Sequence, residues 1–119
     1  MSGYFKDSEF DCKCGCGLGL GDMNESSVMR LKLARGVSNT PYNLNSAIRC
    51  KKHNKSVGSK KTSSHPKGYA FDIRATTYRI RWKVLKGLME AGFNRIGIGI
   101  DFIHADDDPD KPPAVIWLY

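Results

Sequence analysis

The stretch SSHPKGYAFDIR, residues 63–74, constrains the fold more than any other part of the chain. From position 68 onward bulky apolar residues alternate with smaller or polar ones. One face of a strand would therefore carry the bulky residues Tyr69, Phe71 and Ile73. Asp72 then falls on the opposite face, away from the core. The polar turn HPKG before the strand can fold back and bring His65 beside Asp72. The stretch therefore predicts a strand with one apolar face and a His–Asp pair on the other.

The rest of the chain predicts a single α+β domain over residues 1–119. Apolar residues recur at helical spacing over 23–36 and 76–92, and Gly36 is expected to end the first helix. Short apolar runs predict strands within 40–50, 68–74, 95–106 and 113–119. Residues 52–64 are polar, basic and rich in turn-forming residues, so we expect a loop there, with a loop that includes one helical turn as the alternative. Segregated helices and several short strands indicate a central antiparallel sheet flanked by helices.

Histidine is scarce in this chain, so the position of each imidazole is informative. His65 and Asp72 supply two of the three protein ligands of a catalytic zinc site, which leaves its fourth position to water. His104 ends another apolar run and is the favoured third ligand, with His53 in the polar loop as the alternative. We expect one zinc ion per chain at this site. The competing interpretation is that these residues are ordinary polar groups of a loop and a strand.

A zinc hydrolase also needs a general base near the attacking water. Asp101 stands three residues before His104, so in a straight strand the two side chains would point to opposite faces. Asp101 can be the base only if the backbone turns or bulges near Gly99. Asp106 shares the parity of His104 and is the alternative, either as the base or as a carboxylate that orients the imidazole. The neighbouring acids Asp107, Asp108 and Asp110 are expected in a solvated turn.

The four cysteines are Cys12, Cys14, Cys16 and Cys50. A disulfide framework is not expected, because a Cys-x-Cys pair bridges poorly and the expected compartment is reducing. The default expectation is small buried thiols. A thiolate metal site that joins CKCGCG to Cys50 and His53 is the alternative, although its spacing departs from that of zinc ribbons.

The chain carries a net charge of +7, with the positive charge concentrated in its middle. Asp72 is the only acidic residue between positions 49 and 86. A basic face favours a polyanionic partner, either nucleic acid or an anionic cell wall, and a merely solvated face is the alternative. The sequence has no aromatic-rich nucleic-acid motif and no apolar run long enough for a membrane span. Its polar start lacks the layout of a signal peptide, so synthesis in a cytoplasm is expected.

SSHPKGYAFDI resembles the Ser-x-His-x-x-Gly-x-Ala-x-Asp signature of the zinc D-alanyl-D-alanine carboxypeptidases. That family shares its fold with the hedgehog signalling domain and includes phage L-alanyl-D-glutamate endopeptidases. The signature is matched at Ser63, His65, Gly68, Ala70 and Asp72. DFIH, residues 101–104, is similar to the family's acid-x-x-His element, and NSAIRC, residues 45–50, is similar to its SGYRC stretch. FDCKCGCG resembles the start of small phage and bacterial members.

The resemblance implies a hedgehog/DD-peptidase-like fold and a zinc peptidase mechanism. The implied metal ligands are His65, Asp72 and His104. Asp101 is the implied base, and Arg49 is implied to stabilise the bound substrate or the developing oxyanion. Ser63 is expected to contact the substrate or a ligand.

Several further positions bear on the cleft. Trp117 is expected to line it and bind substrate, with core packing as the alternative. Gly68 and Ala70 are expected to keep the cleft floor open. The chain departs from the family at Ile103, where an aromatic residue is common, and at Ala47, where glycine is usual. These departures bear on substrate preference rather than on zinc.

The activity implied by the resemblance is hydrolysis of amide bonds in peptidoglycan stem peptides, of the D,D-carboxypeptidase or L-alanyl-D-glutamate endopeptidase type. The basic face would concentrate such an enzyme on the anionic cell wall. We expect a monomeric phage endolysin, made in the host cytoplasm and released by a holin, with a virion-associated lysin as the near alternative. No nucleic-acid or membrane partner is expected. The competing functions are a catalytically inactive, zinc-containing wall-binding module and a nucleic-acid-binding protein with cysteine-bound zinc.

Overall fold

The computed structural model describes residues 5–60 and 62–119, which form a five-stranded sheet with helices packed against it. The helices are α1 (Glu25–Ser38), α2 (Lys51–Ser56) and α3 (Tyr78–Glu90). The strands are β1 (Leu44–Ser46), β2 (Ala70–Arg74), β3 (Arg95–Ile98), β4 (Phe102–Asp106) and β5 (Val115–Leu118). The α+β class predicted from the sequence is confirmed. No helix in the described part of the chain is long and apolar enough to cross a membrane.

Polar side chains set the ends of the two longer helices. The Asn24 side chain accepts a hydrogen bond from the backbone N–H of Ser27 at 3.1 Å and so caps α1, and Thr77 caps α3 in the same way. The prediction that Gly36 ends α1 is wrong. The helix continues past Gly36 to Ser38, and the next residue, Asn39, adopts the left-handed conformation with a φ of 51°. Asparagine tolerates that conformation better than most residues, so it can replace glycine as the stop.

The strand order is β1-β2-β4-β3-β5, and the first four strands in that order pair antiparallel, as predicted. β5 instead pairs parallel to β3, so the sheet as a whole is mixed. The reason lies in the preceding hairpin, whose register places the end of β4 beside the start of β3. The connecting segment 107–114 steps across β3 and begins β5 at that same end, which makes the two strands parallel.

The two faces of the sheet differ in chemistry, as the alternation of side chains along each strand requires. One face packs against α1 and α3 and includes the buried side chains of Phe71, Ile73 and Ile103. The alternate residues of β2 and β4 point the other way, and they include Asp72, His104 and Asp106. This second face opens into a cleft, so the fold presents polar groups on a rigid sheet.

Candidate metal centre

His65, Asp72 and His104 converge on the open face of the sheet, and all three are buried. Asp72 and His104 are direct cross-strand partners in β2 and β4, so the antiparallel register places them side by side. His65 lies in the turn before β2. His104 Nδ1 lies 3.0 Å from Asp72 Oδ1, and His65 Nε2 lies 3.3 Å from the same oxygen. The structure thus brings together the three residues that the sequence singles out.

Gly68 shapes the turn that carries His65. It has a φ of 82°, and its N–H donates to the His65 carbonyl oxygen at 3.1 Å. A Cβ at this position would lie 2.6 Å from the backbone oxygen of Asp22. Gly68 therefore lets the turn pack closely against the segment before α1. This is a different role from the open cleft floor expected from the resemblance.

The hydrogen bonds on the far side of each imidazole indicate which nitrogen faces the cluster. His65 Nδ1 lies 2.7 Å from the carbonyl oxygen of Ala47, and His104 Nε2 lies 2.6 Å from Asp106 Oδ2. Both oxygens are acceptors, so these far nitrogens donate their N–H groups. In a neutral imidazole the other nitrogen then carries a lone pair, and in both rings that nitrogen faces Asp72. Two nitrogen lone pairs and a carboxylate meet at one point, and this set of ligands fits zinc.

The surrounding charges favour positive charge at the same point. Burial acts to raise the pKa of Asp72, but hydrogen bonds from His104 and His65, which form when the nitrogens that face Asp72 carry protons, outweigh burial and hold that pKa well below its usual value. Burial acts to lower the pKa of His104, yet hydrogen bonds to Asp106 and Asp72 raise it. For His65, burial prevails and lowers the pKa. Carboxylates that stabilise a positive charge on one ring would also stabilise a metal cation there.

Arg49 lies on the other side of Asp72. Its Nη2 donates to Asp72 Oδ2 at 3.0 Å, which leaves Oδ1 to face the histidines. Its Nε donates to Ser46 Oγ at 2.9 Å, and its Nη1 donates to Ser59 Oγ at 2.8 Å and to Asn54 Oδ1 at 3.3 Å. The guanidinium is therefore held in a fixed orientation at the cleft, next to the cluster.

The cluster lies in a cleft with a volume of about 930 Å³. The aromatic residues that line it are Phe102, Trp117 and Tyr119. The ring centroids of Trp117 and His104 are 5.5 Å apart, so Trp117 faces the cleft rather than the core. Gly97 permits this arrangement, because a Cβ there would lie 2.7 Å from the rings of Trp117 and Tyr119. Ser63 also lines the cleft, and its Oγ accepts a hydrogen bond from the His65 backbone N–H at 3.2 Å.

Asp101 lies apart from this cluster. It is exposed in the turn between β3 and β4, and the residues that line the cleft do not include it. β4 pairs with β2 in continuous register from Phe102 to Asp106, so no bulge within β4 turns Asp101 toward His104. Its backbone oxygen instead accepts the Ala75 N–H at 2.8 Å. The role of Asp101 as the base stays a prediction that this placement does not support.

Asp106 is buried behind His104. Besides His104 Nε2, it accepts hydrogen bonds from Arg95 Nε at 2.8 Å and from the backbone N–H of Asp108 at 3.2 Å. Burial acts to raise the pKa of Asp106, but the hydrogen bond from His104 outweighs it and lowers the pKa. This geometry matches the orienting role that the sequence left open for Asp106. Sequence reasoning missed Arg95, which only the register of the β3–β4 hairpin places opposite Asp106.

Replacing Asp106 with asparagine is expected to weaken zinc binding by about 10–100-fold, the usual cost of losing the partner of a ligating histidine. An amide cannot offer carboxylate oxygens to both His104 and Arg95. Competition with a chromophoric chelator would measure the dissociation constant. The matched control is Asp107→Asn, because that side chain contacts α1 outside the cleft. Equal weakening in the two variants would contradict the orienting role.

Asp108 does not lie where the sequence analysis placed it. It is 2% exposed, so its assignment to a solvated turn is wrong. Its carboxylate accepts hydrogen bonds from Ser64 Oγ at 2.8 Å and from Lys67 Nζ at 2.8 Å. These partners lie on both sides of His65 in the sequence, so Asp108 ties the His65 turn to the end of β4. The sequence gives no local sign of this contact, because the partners are some forty residues away.

The remaining candidate ligands lie elsewhere. His53, the alternative third ligand, lies on α2 and belongs to neither potential metal-binding group among the described residues. The four cysteines form a group of their own. Cys14 and Cys16 are exposed, so the expectation of buried thiols is wrong for these two.

The comparison with protein families agrees with this geometry. The sequence matches the family model described as Peptidase M15 over residues 3–106. The match includes the three converging residues, Arg49, Asp101 and Asp106, whereas β5 lies beyond it. No curated protein matches the chain.

Proposed function

The chain belongs to the peptidase M15 family, whose members are zinc-dependent metallopeptidases, and we propose that it hydrolyses amide bonds in the stem peptides of peptidoglycan. The observation that carries the proposal is the convergence of two imidazole lone pairs and one carboxylate, with a fixed guanidinium beside them. The D,D-carboxypeptidase and L-alanyl-D-glutamate endopeptidase activities are the two forms that this proposal includes.

Each residue of the cluster has a distinct role in the proposed reaction. His65 Nε2, Asp72 and His104 Nδ1 would hold a zinc ion, which supplies Lewis acidity and a nucleophilic water at neutral pH. The Ala47 carbonyl and Asp106 fix the two rings in the orientation that ligation requires. Arg49 would stabilise the negative charge that develops on the carbonyl oxygen of the scissile amide.

The cleft has features that suit a short anionic peptide. Its aromatic side, which includes Trp117 and Tyr119, can pack against apolar side chains of a substrate, and Ser63 offers a hydroxyl group. Lys60 and Lys111 also line it and can attract the carboxylates of a stem peptide. The family match alone does not specify this substrate, so the shape and charge of the cleft supply the argument for it.

The basic surface beside the cleft supports an anionic polymer as the larger target. Lys51, Lys52 and Lys55 of α2 are exposed, and α2 is followed directly by cleft-lining residues 57–60. A cell wall that carries anionic polymers would concentrate the protein next to its peptide substrate. We propose action on the cell wall as a monomeric phage endolysin made in the host cytoplasm and released by a holin, or as a virion-associated lysin.

Digestion of purified muropeptides by the zinc-loaded protein tests the proposed substrate. The expected result is release of D-alanine or cleavage between L-alanine and D-glutamate, and the product masses identify the bond. His65→Ala is the inactive control. Cleavage of unrelated peptides without cleavage of any muropeptide would contradict the substrate while leaving a zinc peptidase in place.

The exposed position of Asp101 is the observation that favours an inactive wall-binding module of the same fold over the enzyme. If the turn carries Asp101 into the cleft on substrate binding, Asp101→Asn should lower turnover by about 10²–10⁴-fold and leave zinc binding unchanged. Unchanged turnover would remove Asp101 from the mechanism. Wild-type protein that binds zinc and cell walls but releases no peptide would establish the module instead.

A further inference from the structure

A second group of potential ligands lies outside the cleft and includes Cys50, the residue after Arg49. It consists of the sulfur atoms of Cys12, Cys14, Cys16 and Cys50, which all lie within 4.8 Å of one another. Cys12 Sγ is 3.4 Å from Cys14 Sγ, and Cys14 Sγ is 3.6 Å from Cys50 Sγ. Three of the sulfurs come from one short N-terminal loop, and the fourth comes from Cys50, which caps the start of α2.

The backbone of the loop is arranged so that cysteines at every second position reach one point. Gly15 and Gly17 both have positive φ values, 77° and 97°, which other residues adopt at a cost. The Gly15 N–H donates to the Cys12 carbonyl oxygen at 3.1 Å, and the Cys12 N–H donates to the Leu18 carbonyl oxygen at 2.9 Å. The loop closes on itself through these bonds, and its three sulfur atoms lie close together.

The sulfur separations suit a metal better than a disulfide. A disulfide bond requires a sulfur–sulfur distance of about 2.05 Å. Four sulfurs placed tetrahedrally about 2.3 Å from a zinc ion are separated by about 3.8 Å, close to the distances observed here. Two backbone N–H groups also point at the sulfurs, from Cys50 to Cys12 Sγ at 3.4 Å and from His53 to Cys50 Sγ at 3.3 Å. Such bonds stabilise thiolates that ligate a metal.

We propose that Cys12, Cys14, Cys16 and Cys50 bind a second zinc ion in a closed, structural thiolate site. Four protein ligands leave no position for water or substrate, so this site would stabilise the fold rather than catalyse a reaction. The proposal stands apart from the proposed peptidase activity, since it uses different residues and a different type of ligand.

The proposed ion would join two segments that are distant in sequence. The N-terminal loop would be tied to Cys50, whose neighbour Arg49 donates to Asp72 in the cleft. Removing the ion would free the loop from the start of α2 and loosen the segment that carries Arg49. The expected consequence is a lower midpoint of thermal unfolding, because metal-binding energy at a structural site contributes directly to folding.

The test uses His65→Ala protein, in which the cleft site is disabled, prepared under reducing conditions. It should retain about one zinc ion per chain, and its cobalt derivative should show a sulfur-to-cobalt charge-transfer band. Adding Cys14→Ser and Cys16→Ser should abolish both the ion and the band. These two cysteines are exposed, so the change removes ligands with little loss of packing. Lys13→Ser, in the same loop, is the matched control and should retain both.

Three results would overturn the proposal. The first is His65→Ala protein that holds no zinc, and the second is a cobalt derivative without the sulfur band. The third is zinc retained after both cysteines are replaced. The cobalt spectrum of His65→Ala protein decides the question even if the triple variant fails to fold. Muropeptide cleavage is not a readout of this test, because His65→Ala already disables the cleft in each of these variants.

Discussion

Replacing His65 with alanine is expected to remove zinc from the cleft and to reduce peptide hydrolysis by far more than 100-fold. The loss of a partner that only orients a ligand costs about 10–100-fold in affinity or activity, and the loss of a ligand itself should exceed that. His65 Nε2 faces Asp72 Oδ1 at 3.3 Å, while its other nitrogen is held by the Ala47 carbonyl. Competition with a chelator measures the affinity, and muropeptide digestion measures the activity.

His53→Ala is the matched control for this experiment. The chain has three histidines, and His53 is the one that lies outside the converging group. Its backbone N–H, rather than its ring, contacts Cys50 Sγ, so the alanine variant keeps that hydrogen bond. Wild-type zinc affinity and turnover are expected. Loss of activity in His53→Ala with retention in His65→Ala would show that the ligands are wrongly assigned.

Replacing Arg49 with lysine is expected to reduce turnover by about 10²–10³-fold, the usual cost of losing one group that stabilises an oxyanion. Lysine keeps the positive charge but cannot hold Asp72, Ser46 and Ser59 at once, because its single ammonium lacks the planar fork of the guanidinium. Zinc should remain bound, since the metal faces the other oxygen of Asp72. The measurement is turnover together with zinc content in the same preparation.

Arg74→Lys is the matched control for Arg49. Arg74 lies two residues after Asp72 and so on the same face of β2, but it is exposed and does not line the cleft. We expect unchanged turnover there. If Arg49→Lys lost zinc in proportion to its activity, Arg49 would act by holding Asp72 in place rather than by contacting the reacting group. Unchanged turnover in Arg49→Lys would remove it from both roles.

The parts of the structure that follow local rules were predictable from the sequence. Alternation over residues 68–74 identified β2 and placed Phe71 in the core and Asp72 on the opposite face. Helical spacing over residues 76–92 identified α3, which Thr77 caps in the structure. The group of His65, Asp72 and His104 could be predicted because a short turn separates His65 from β2, His104 ends another apolar run, and the family resemblance implies all three as ligands.

The parts that depend on pairing between distant segments were not predictable. Whether a bulge would turn Asp101 toward His104 depended on the pairing of β4 with β2, and the continuous register leaves Asp101 outside the cleft. The sequence predicts that Asp108 is a solvated acid, whereas in the fold it contacts Ser64 and Lys67. The pairing of Arg95 with Asp106 follows only from the hairpin register. Sequence patterns record periodicity and local turns, and these contacts depend on neither.

Anomalous diffraction at the zinc absorption edge, from crystals of the zinc-loaded protein, would locate the metal in the cleft. We expect a peak about 2.0–2.2 Å from His65 Nε2, Asp72 Oδ1 and His104 Nδ1. In the Asp106→Asn variant that peak should weaken at limiting zinc. A map of the wild-type protein with zinc only at the cysteine sulfurs, and none between the two imidazoles, would contradict this expectation.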